Sequence, residues 1–293
     1  MLKECIEGLN IKPDGVYVDL TFGGGGHSKE ILKHLTKGKL FGFDQDDDAK
    51  RQAEAIKDEQ FVFVNANFRF IKKYLKVYGI QQVDGILADL GISSHQIDEA
   101  ERGFSTRFDA ELDMRMDRNA ELTARQIVNE YDEKRLVGLL SRYGEVKNAR
   151  TLANAIVAER VKSPVKTVKD LKLILERYAK HGKQHKYYAQ VFQALRIEVN
   201  DEMGALEEML VQAADVLKPG GRFVVMSYHS LEDRPVKNYF AKGKFSGEVE
   251  KDFYGNMIRP LQPVNRKPIL ASKEELEINN RARSAKLRIA EKI

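Results

Sequence analysis

Short apolar runs alternate with amphipathic stretches over the first third of the chain. Residues 16–21, 39–44, 61–66 and 83–90 are compact runs rich in Val, Ile, Leu and Phe, and they predict strands. Between them, residues 28–35, 46–56 and 68–77 repeat apolar positions three and four apart and predict helices. Strands separated by helices form parallel β-α-β units, because a parallel pair needs a crossover and a helix is the usual one. The first part of the chain therefore predicts a doubly wound α/β sheet.

After Gly91 the alternation stops. From about 123 to 180 the patterns are helical, and Thr167 with Asp170 three positions later forms a variant of the capping box, Asp replacing the usual Glu or Gln. Strand character returns at 220–228 in G-G-R-F-V-V-M-S-Y. The helix expected before it, 206–217, meets K-P-G-G, a Pro and Gly stop signal. A sheet that pauses and then resumes predicts an inserted all-helical subdomain rather than a tandem domain. The expected division is residues 1–105 with 190–293 for the α/β domain and 106–189 for the insertion.

Composition narrows the class. With 293 residues, 42% hydrophobic and 32% charged, the chain is long and apolar enough to bury a sizeable core. One cysteine, Cys5, excludes an internal disulfide and a multi-cysteine zinc site, and six scattered histidines show no metal-binding spacing, so no metal is expected. No run approaches the ~18 apolar residues of a membrane span, and M-L-K-E-C-I-E-G-L carries acids where a signal peptide is apolar. The expectation is a cytoplasmic protein without a membrane partner; the oligomeric state stays open, a homodimer included. The net charge is +5, yet residues 160–186 alone carry nine Lys or Arg against Asp170 and Glu176, a net +7. A second cluster, R-A-R-S-A-K-L-R, lies at 281–288. Lys166, Lys169, Lys172, Arg281, Arg283 and Lys286 are the candidates for contact with a polyanion, against the alternative of solvated helix faces.

The densest chemical signal is Y-V-D-L-T-F-G-G-G-G-H-S at 17–28. Glycines between a strand and a helix bring backbone N–H groups together at the positive end of a helix dipole. A P-loop requires Gly-Lys-Ser/Thr at the end of its spacing, which is absent, and the dinucleotide pattern G-x-G-x-x-G fails at its last glycine, where Ser28 or Lys29 stands. Asp44, 18 residues past Gly26 at the end of the second strand, suits ribose hydroxyls of either NAD or S-adenosylmethionine. V-N-A-N-F at 64–68 ends the third strand and suits adenine, and Asp89 ends the fourth. Four successive strand ends read together favour a methyltransferase over a dehydrogenase.

At this point the chain resembles the bacterial small-subunit ribosomal RNA methyltransferase H family, whose members methylate N4 of a cytosine. The resemblance is carried by D-L-T-F-G-G-G-G-H-S, D-L-G-I-S-S-H-Q, R-G-F-S, L-D-M-R-M-D at 112–117, F-Q-A-L-R-I-E-V-N at 192–200, S-Y-H-S-L-E-D-R at 227–234 and N-R-A-R-S-A-K-L-R at 280–288. It implies a Rossmann-like class I methyltransferase fold, S-adenosylmethionine as methyl donor and 16S ribosomal RNA, in the small subunit or its precursor, as partner. It also implies a donor site of Gly25, Gly26, His27, Asp44, Phe68, Asp89 and Gln96. The pattern departs in places: Met1-Leu2-Lys3-Glu4 lacks the usual His-x-Pro-Val-Leu-Leu before K-E, and Thr106 stands where Phe commonly follows R-G-F-S. K-Y-Y-A-Q-V precedes Phe192 instead of a Pro-Ala-Lys-Arg run, and Tyr228 replaces a common Phe.

Methyl transfer from a sulfonium requires an in-line attacking atom, so such an enzyme supplies mostly position and desolvation. Asp89 is the best acceptor for the hydrogens of an amine, hence the candidate catalytic residue, and it serves donor binding equally well. Phe104, Tyr187 and Tyr228 are candidates for stacking on an extruded base, with core packing as the commoner fate of such rings. Rival readings are methylation of another amine, in DNA or protein, and a non-catalytic RNA-binding assembly factor that keeps a donor pocket.

Overall fold

A computed structural model describes residues 1–293, the side chain at position 94 excepted. By its internal contacts the chain forms two compact units, Met1–Gly91 with Met203–Ile293, and Ile92–Glu202. The first unit opens with α1 (Leu2–Leu9), followed by β1 (Val16–Asp19), α2 (Gly26–Lys33), β2 (Lys39–Asp44), α3 (Asp47–Ala53), β3 (Phe61–Asn65), a 3-10 turn at Phe68–Phe70, α4 (Ile71–Val77) and β4 (Val83–Asp89). Every strand and helix expected in this stretch forms, with ends shifted by a few residues.

The second unit contains α5 (Ser94–Asp98), α6 (Ala124–Glu130), α7 (Glu133–Arg142), α8 (Ala149–Lys162), α9 (Val168–Glu176) and α10 (Gln184–Val199). It reaches further at both ends than the 106–189 suggested by the helical pattern. Leu136, Leu140, Leu152, Ile156, Leu171, Leu175, Val191 and Leu195 form one apolar core from four helices, and Phe104, Leu112 and Met114 join it from the irregular segment before α6. The capping box at α9 is present: Thr167 accepts the Asp170 N–H at 3.2 Å and Asp170 accepts the Thr167 N–H at 3.0 Å. Two of the sequence motifs meet inside this unit. Asn200 donates to the Met114 carbonyl at 2.8 Å and accepts the Met116 N–H at 2.7 Å, pinning L-D-M-R-M-D where Met114 adopts a left-handed φ of 63°. Arg102 of R-G-F donates to the carbonyls of Arg115 and Met116 at 2.9 and 3.2 Å.

The chain returns with α11 (Glu202–Val216), β5 (Leu217–Ser227), α12 (Ser230–Lys242), β6 (Leu261–Pro263), β7 (Ile269–Leu270), α13 (Lys273–Ile278) and β8 (Lys286–Lys292). K-P-G-G does not lie between helix and strand but inside β5. Its pairing with β4 shifts between Val83↔Leu217 and Gly85↔Arg222, and Gly220 takes φ 76° to absorb the extra residues. The sheet runs β3-β2-β1-β4-β5-β8-β6, with β7 also on β8; the first five strands are parallel and β8 lies antiparallel to β5. This is a mixed, doubly wound α/β sheet of the Rossmann-like kind. Alternate strand residues face opposite layers. Tyr17, Leu87, Val224 and Leu287 pack with Cys5, Leu9, Ile31 and Leu35, while Val18, Ile86, Val225 and Ala290 pack with Leu206, Met209, Leu210 and Phe240. No helix among the described residues is long and apolar enough to cross a membrane.

The strand order reverses between β1 and β4, where connections leave to opposite sides. The carboxyl ends of the strands at such a reversal are the position at which open α/β sheets bind ligands.

Candidate functional site

The glycine loop leaves β1 at this reversal. Gly25 N–H donates to the Phe22 carbonyl at 2.7 Å and closes a turn that needs Gly25 at φ 75°; a Cβ there would lie 2.8 Å from Phe22 Cζ. The Gly25 N–H is thus spent within the loop, and Gly25 contributes conformation rather than a donor. At Gly24 and Gly26 a Cβ would meet nothing within 4 Å, so the backbone there faces open space. α2 then begins at Gly26 with no side-chain cap and no acid in its first turn. Its leading N–H groups and the positive end of its dipole suit the carboxylate of a small ligand.

Three carboxylates stand at the ends of β1, β2 and β4. Asp19 is fully buried; it accepts the Ser28 hydroxyl at 2.7 Å and the Thr21 N–H at 3.2 Å. Burial pushes its carboxyl up, against the opposing pull of His27. Asp44 accepts the N–H groups of Gly23 at 2.8 Å and Asp46 at 2.9 Å, joining the end of β2 to the glycine loop. Surrounding protein pushes Asp44 up to about 6, although these two backbone donors act in the other direction. Asp89 accepts the Tyr228 hydroxyl at 2.9 Å, and its own N–H donates to Thr21 Oγ1 at 2.7 Å. A quarter of its side chain reaches solvent, yet burial within the protein also raises it to about 6. His27 Nδ1 lies 3.9 Å from Asp89 Oδ2.

The third strand end adds amide groups and an aromatic ring. Asn65 donates to the Asp44 carbonyl at 3.2 Å, Asn67 donates to Gln45 Oε1 at 2.9 Å and accepts the Arg69 N–H at 3.0 Å. Phe68, half-buried, starts the 3-10 turn beside them. The glycine-loop end of this sheet edge therefore favours an anion, and the other strand ends offer acceptors for hydroxyl, ammonium or sulfonium groups beside a ring that suits a flat base. A zwitterionic nucleoside has this complement of groups; its residues fit S-adenosylmethionine.

The whole chain, residues 1–293, matches the model of the MraW methylase family. The chain belongs to that family. It is similar to the Cytophaga hutchinsonii protein named Ribosomal RNA small subunit methyltransferase H, with 59% identity over 292 residues, 100% of this chain and 98% of that one. The Flavobacterium johnsoniae protein of the same name is 58% identical over 294 residues, covering 100% of this chain and 96% of that one. Among solved structures, a putative methyltransferase from Streptococcus mutans in complex with SAH overlaps loosely, with a TM-score of 0.43 and 13% identity over 100% of this chain and 97% of that one.

In this methylase Gly25, Gly26, His27, Asp44, Phe68 and Asp89 all lie in the α/β unit, at or just beyond the strand ends. Gln96 belongs to the helical unit, where its side chain accepts the Ser93 N–H at 3.1 Å in the cap of α5. Asp19, Thr21 and Ser28 were missed as a bonded group; the aspartate standing directly before the glycine loop was the available signal. The stacking candidates separate. Phe104 is buried in the core of the helical unit under the Arg102 guanidinium, and Tyr187 donates its hydroxyl to Asn148 at 3.0 Å. Tyr228 instead uses the hydroxyl that a Phe would lack.

The basic candidates also separate. Lys166, Lys169 and Arg283 are exposed, as is Arg281. Lys172 is turned inward, donating to the Thr106 carbonyl at 2.9 Å with its ammonium 5.7 Å from the Tyr188 ring. Lys286 opens β8 and lies 3.4 Å from Asp233, which is also bound by Arg288 at 2.7 Å. Part of the C-terminal basic cluster is therefore neutralised within the sheet.

Proposed function

We propose that this methylase transfers the methyl group of S-adenosylmethionine to the N4 amino group of a cytidine in small-subunit (16S) ribosomal RNA. The observation that carries the reading is the series of groups at the carboxyl ends of four adjacent parallel strands: the open start of α2, Asp44, Phe68 with its asparagines, and Asp89. The relatives' names supply the substrate class. The donor brings a methyl group on a positively charged sulfur.

In this reading the start of α2, with His27, holds the aminoacyl end. Asp44 uses its remaining lone pairs for ribose hydroxyls, and Phe68 lies against the adenine. Asp89 accepts a hydrogen of the cytosine amine, countering the delocalisation that makes N4 a poor nucleophile. As the N4 lone pair bonds to the methyl carbon and the S–C electron pair returns to sulfur, the amine becomes cationic. It then releases one proton through Asp89 to solvent. The exposed Lys166 and Lys169 grip phosphates, and such a substrate places the protein in the cytoplasm.

The test is incubation of purified protein and labelled donor with small subunits from cells lacking this protein, followed by nucleoside mass spectrometry. N4-methylcytidine at one position is the expected product. Label confined to ribosomal protein, to another RNA atom, or absent altogether refutes the reading.

A further inference from the structure

We propose that Tyr228 is a positioning residue for the transfer step: its hydroxyl occupies Oδ1 of Asp89 and so presents Oδ2 as the oxygen that meets the amine. The inference rests on the methyl-transfer reading above and adds a residue to it.

The geometry is fixed from both ends of the tyrosine. Its backbone N–H donates to Glu232 Oε2 at 2.8 Å, in the capping arrangement that starts α12, and its hydroxyl donates to Asp89 Oδ1 at 2.9 Å. Asp89 is held in turn by its N–H on Thr21 Oγ1, and Leu90 N–H bonds the Met226 carbonyl at 2.9 Å, keeping β4 and β5 in step up to the pair. The chain leaves β4 along the tyrosine ring: Gly91 adopts φ 95°, and a Cβ there would stand 3.6 Å from Tyr228 Cδ2. Burial and the charge of Asp89 push the phenol up, so it keeps its proton and acts as donor throughout the working range. With Oδ1 occupied, Oδ2 is the oxygen turned toward His27, 3.9 Å from Nδ1.

The groups acting on Asp89 sit on several elements around it, Asp19 at the end of β1, His27 in α2, Glu232 in α12 and Tyr228 itself, and Asp89 in turn raises the Cys5 thiol in α1. Asp19 and Glu232 raise Asp89, whereas His27 and the Tyr228 hydrogen bond lower it. Removing the hydroxyl therefore raises the carboxyl further and frees it to rotate. Both effects reduce the fraction of enzyme with an ionised Oδ2 aimed at the amine.

The experiment is Tyr228→Phe, which keeps the ring. Three readouts are taken on the full chain: the carboxyl titration of Asp89 by NMR with carboxyl-labelled aspartate, donor affinity by calorimetry, and kcat against pH on small subunits. The expected result is an Asp89 midpoint and an acidic limb of kcat both moved up by about one pH unit, and a plateau kcat reduced about tenfold. Donor Kd should change less than about twofold. In the background of Asp89→Asn, Tyr228→Phe should move the pH profile no further. An unmoved Asp89 midpoint, an unchanged kcat, or independent losses in the double variant would overturn the proposal. If wild-type protein labels no RNA, the proposed reaction falls, while the titration still decides whether the hydroxyl holds the carboxylate.

Discussion

Ser28 Oγ donates to Asp19 Oδ2 across 2.7 Å, bonding the first turn of α2 to the end of β1 through a carboxylate that has no exposure to solvent. The glycine loop is thereby closed at its base. Ser28→Ala removes the donor and leaves the acceptor buried, so a loss of roughly 1–3 kcal/mol in unfolding free energy is expected. Urea denaturation of the two proteins at pH 7 measures it; equal midpoints would show that the bond does not hold the loop.

The raised carboxyls predict a definite pH dependence of stability. Asp44 and Asp89 have folded values of about 6 against an ordinary 3.8. The folded state binds more protons than the unfolded state between those values, so their contribution is full below about pH 4 and lost as pH rises through about 6. Asp89→Asn removes one such group. Its stability relative to wild type should improve by on the order of 2 kcal/mol between pH 4 and pH 7. Denaturation midpoints across that range decide this, and a constant difference would contradict it.

Donor affinity should depend on the clamp at the end of β2. Asp44→Ala deprives Gly23 and Asp46 of their acceptor and removes the proposed ribose partner. Calorimetry with S-adenosylmethionine should show a weakening of about 10- to 100-fold, equivalent to roughly 1.4–2.7 kcal/mol. Unaltered affinity would remove Asp44 from the donor site.

The lysines of the helical unit should divide by environment. Reversing Lys166 and Lys169 to Glu is expected to weaken RNA binding and to flatten the salt dependence of log K by somewhat more than one unit. Lys172→Ala should instead lower thermal stability, since its ammonium binds the Thr106 carbonyl, and leave the salt slope unchanged. Filter binding over a salt series separates the two classes.

Asn200→Ala breaks both bonds to the Met114 and Met116 backbone, leaving the left-handed Met114 held by its own N–H on the Arg102 carbonyl at 3.1 Å and by the Arg102 guanidinium on the next two carbonyls. About 2 kcal/mol of destabilisation is expected from the stranded polar groups. A variant as stable as wild type would show that the L-D-M-R-M-D segment holds its shape unaided.

The parallel half of the sheet was legible in the sequence because its signals are local. Apolar runs of strand length, helical spacing between them and a glycine loop after the first strand constrain structure within a few residues. Asp44, Phe68 and Asp89 could be named because strand ends of a doubly wound sheet share one edge. β8 was not legible. It reads as part of a basic cluster, and it becomes a strand only because Leu287, Ile289 and Ala290 find β5 some sixty residues back in the register Met226↔Leu287 to Phe223↔Ala290. K-P-G-G likewise looked like a boundary until β4 forced it into a bulge. Residue type and order alone determined the class of fold, the family pattern and the charge of the helical unit. The tertiary structure decided which groups are already spent: the Lys172 ammonium on Thr106 and the Tyr228 hydroxyl on Asp89. Hydrogen bonds between residues distant in sequence depend on short distances that only folding sets, so sequence supplies the donors and acceptors and packing selects the pairs.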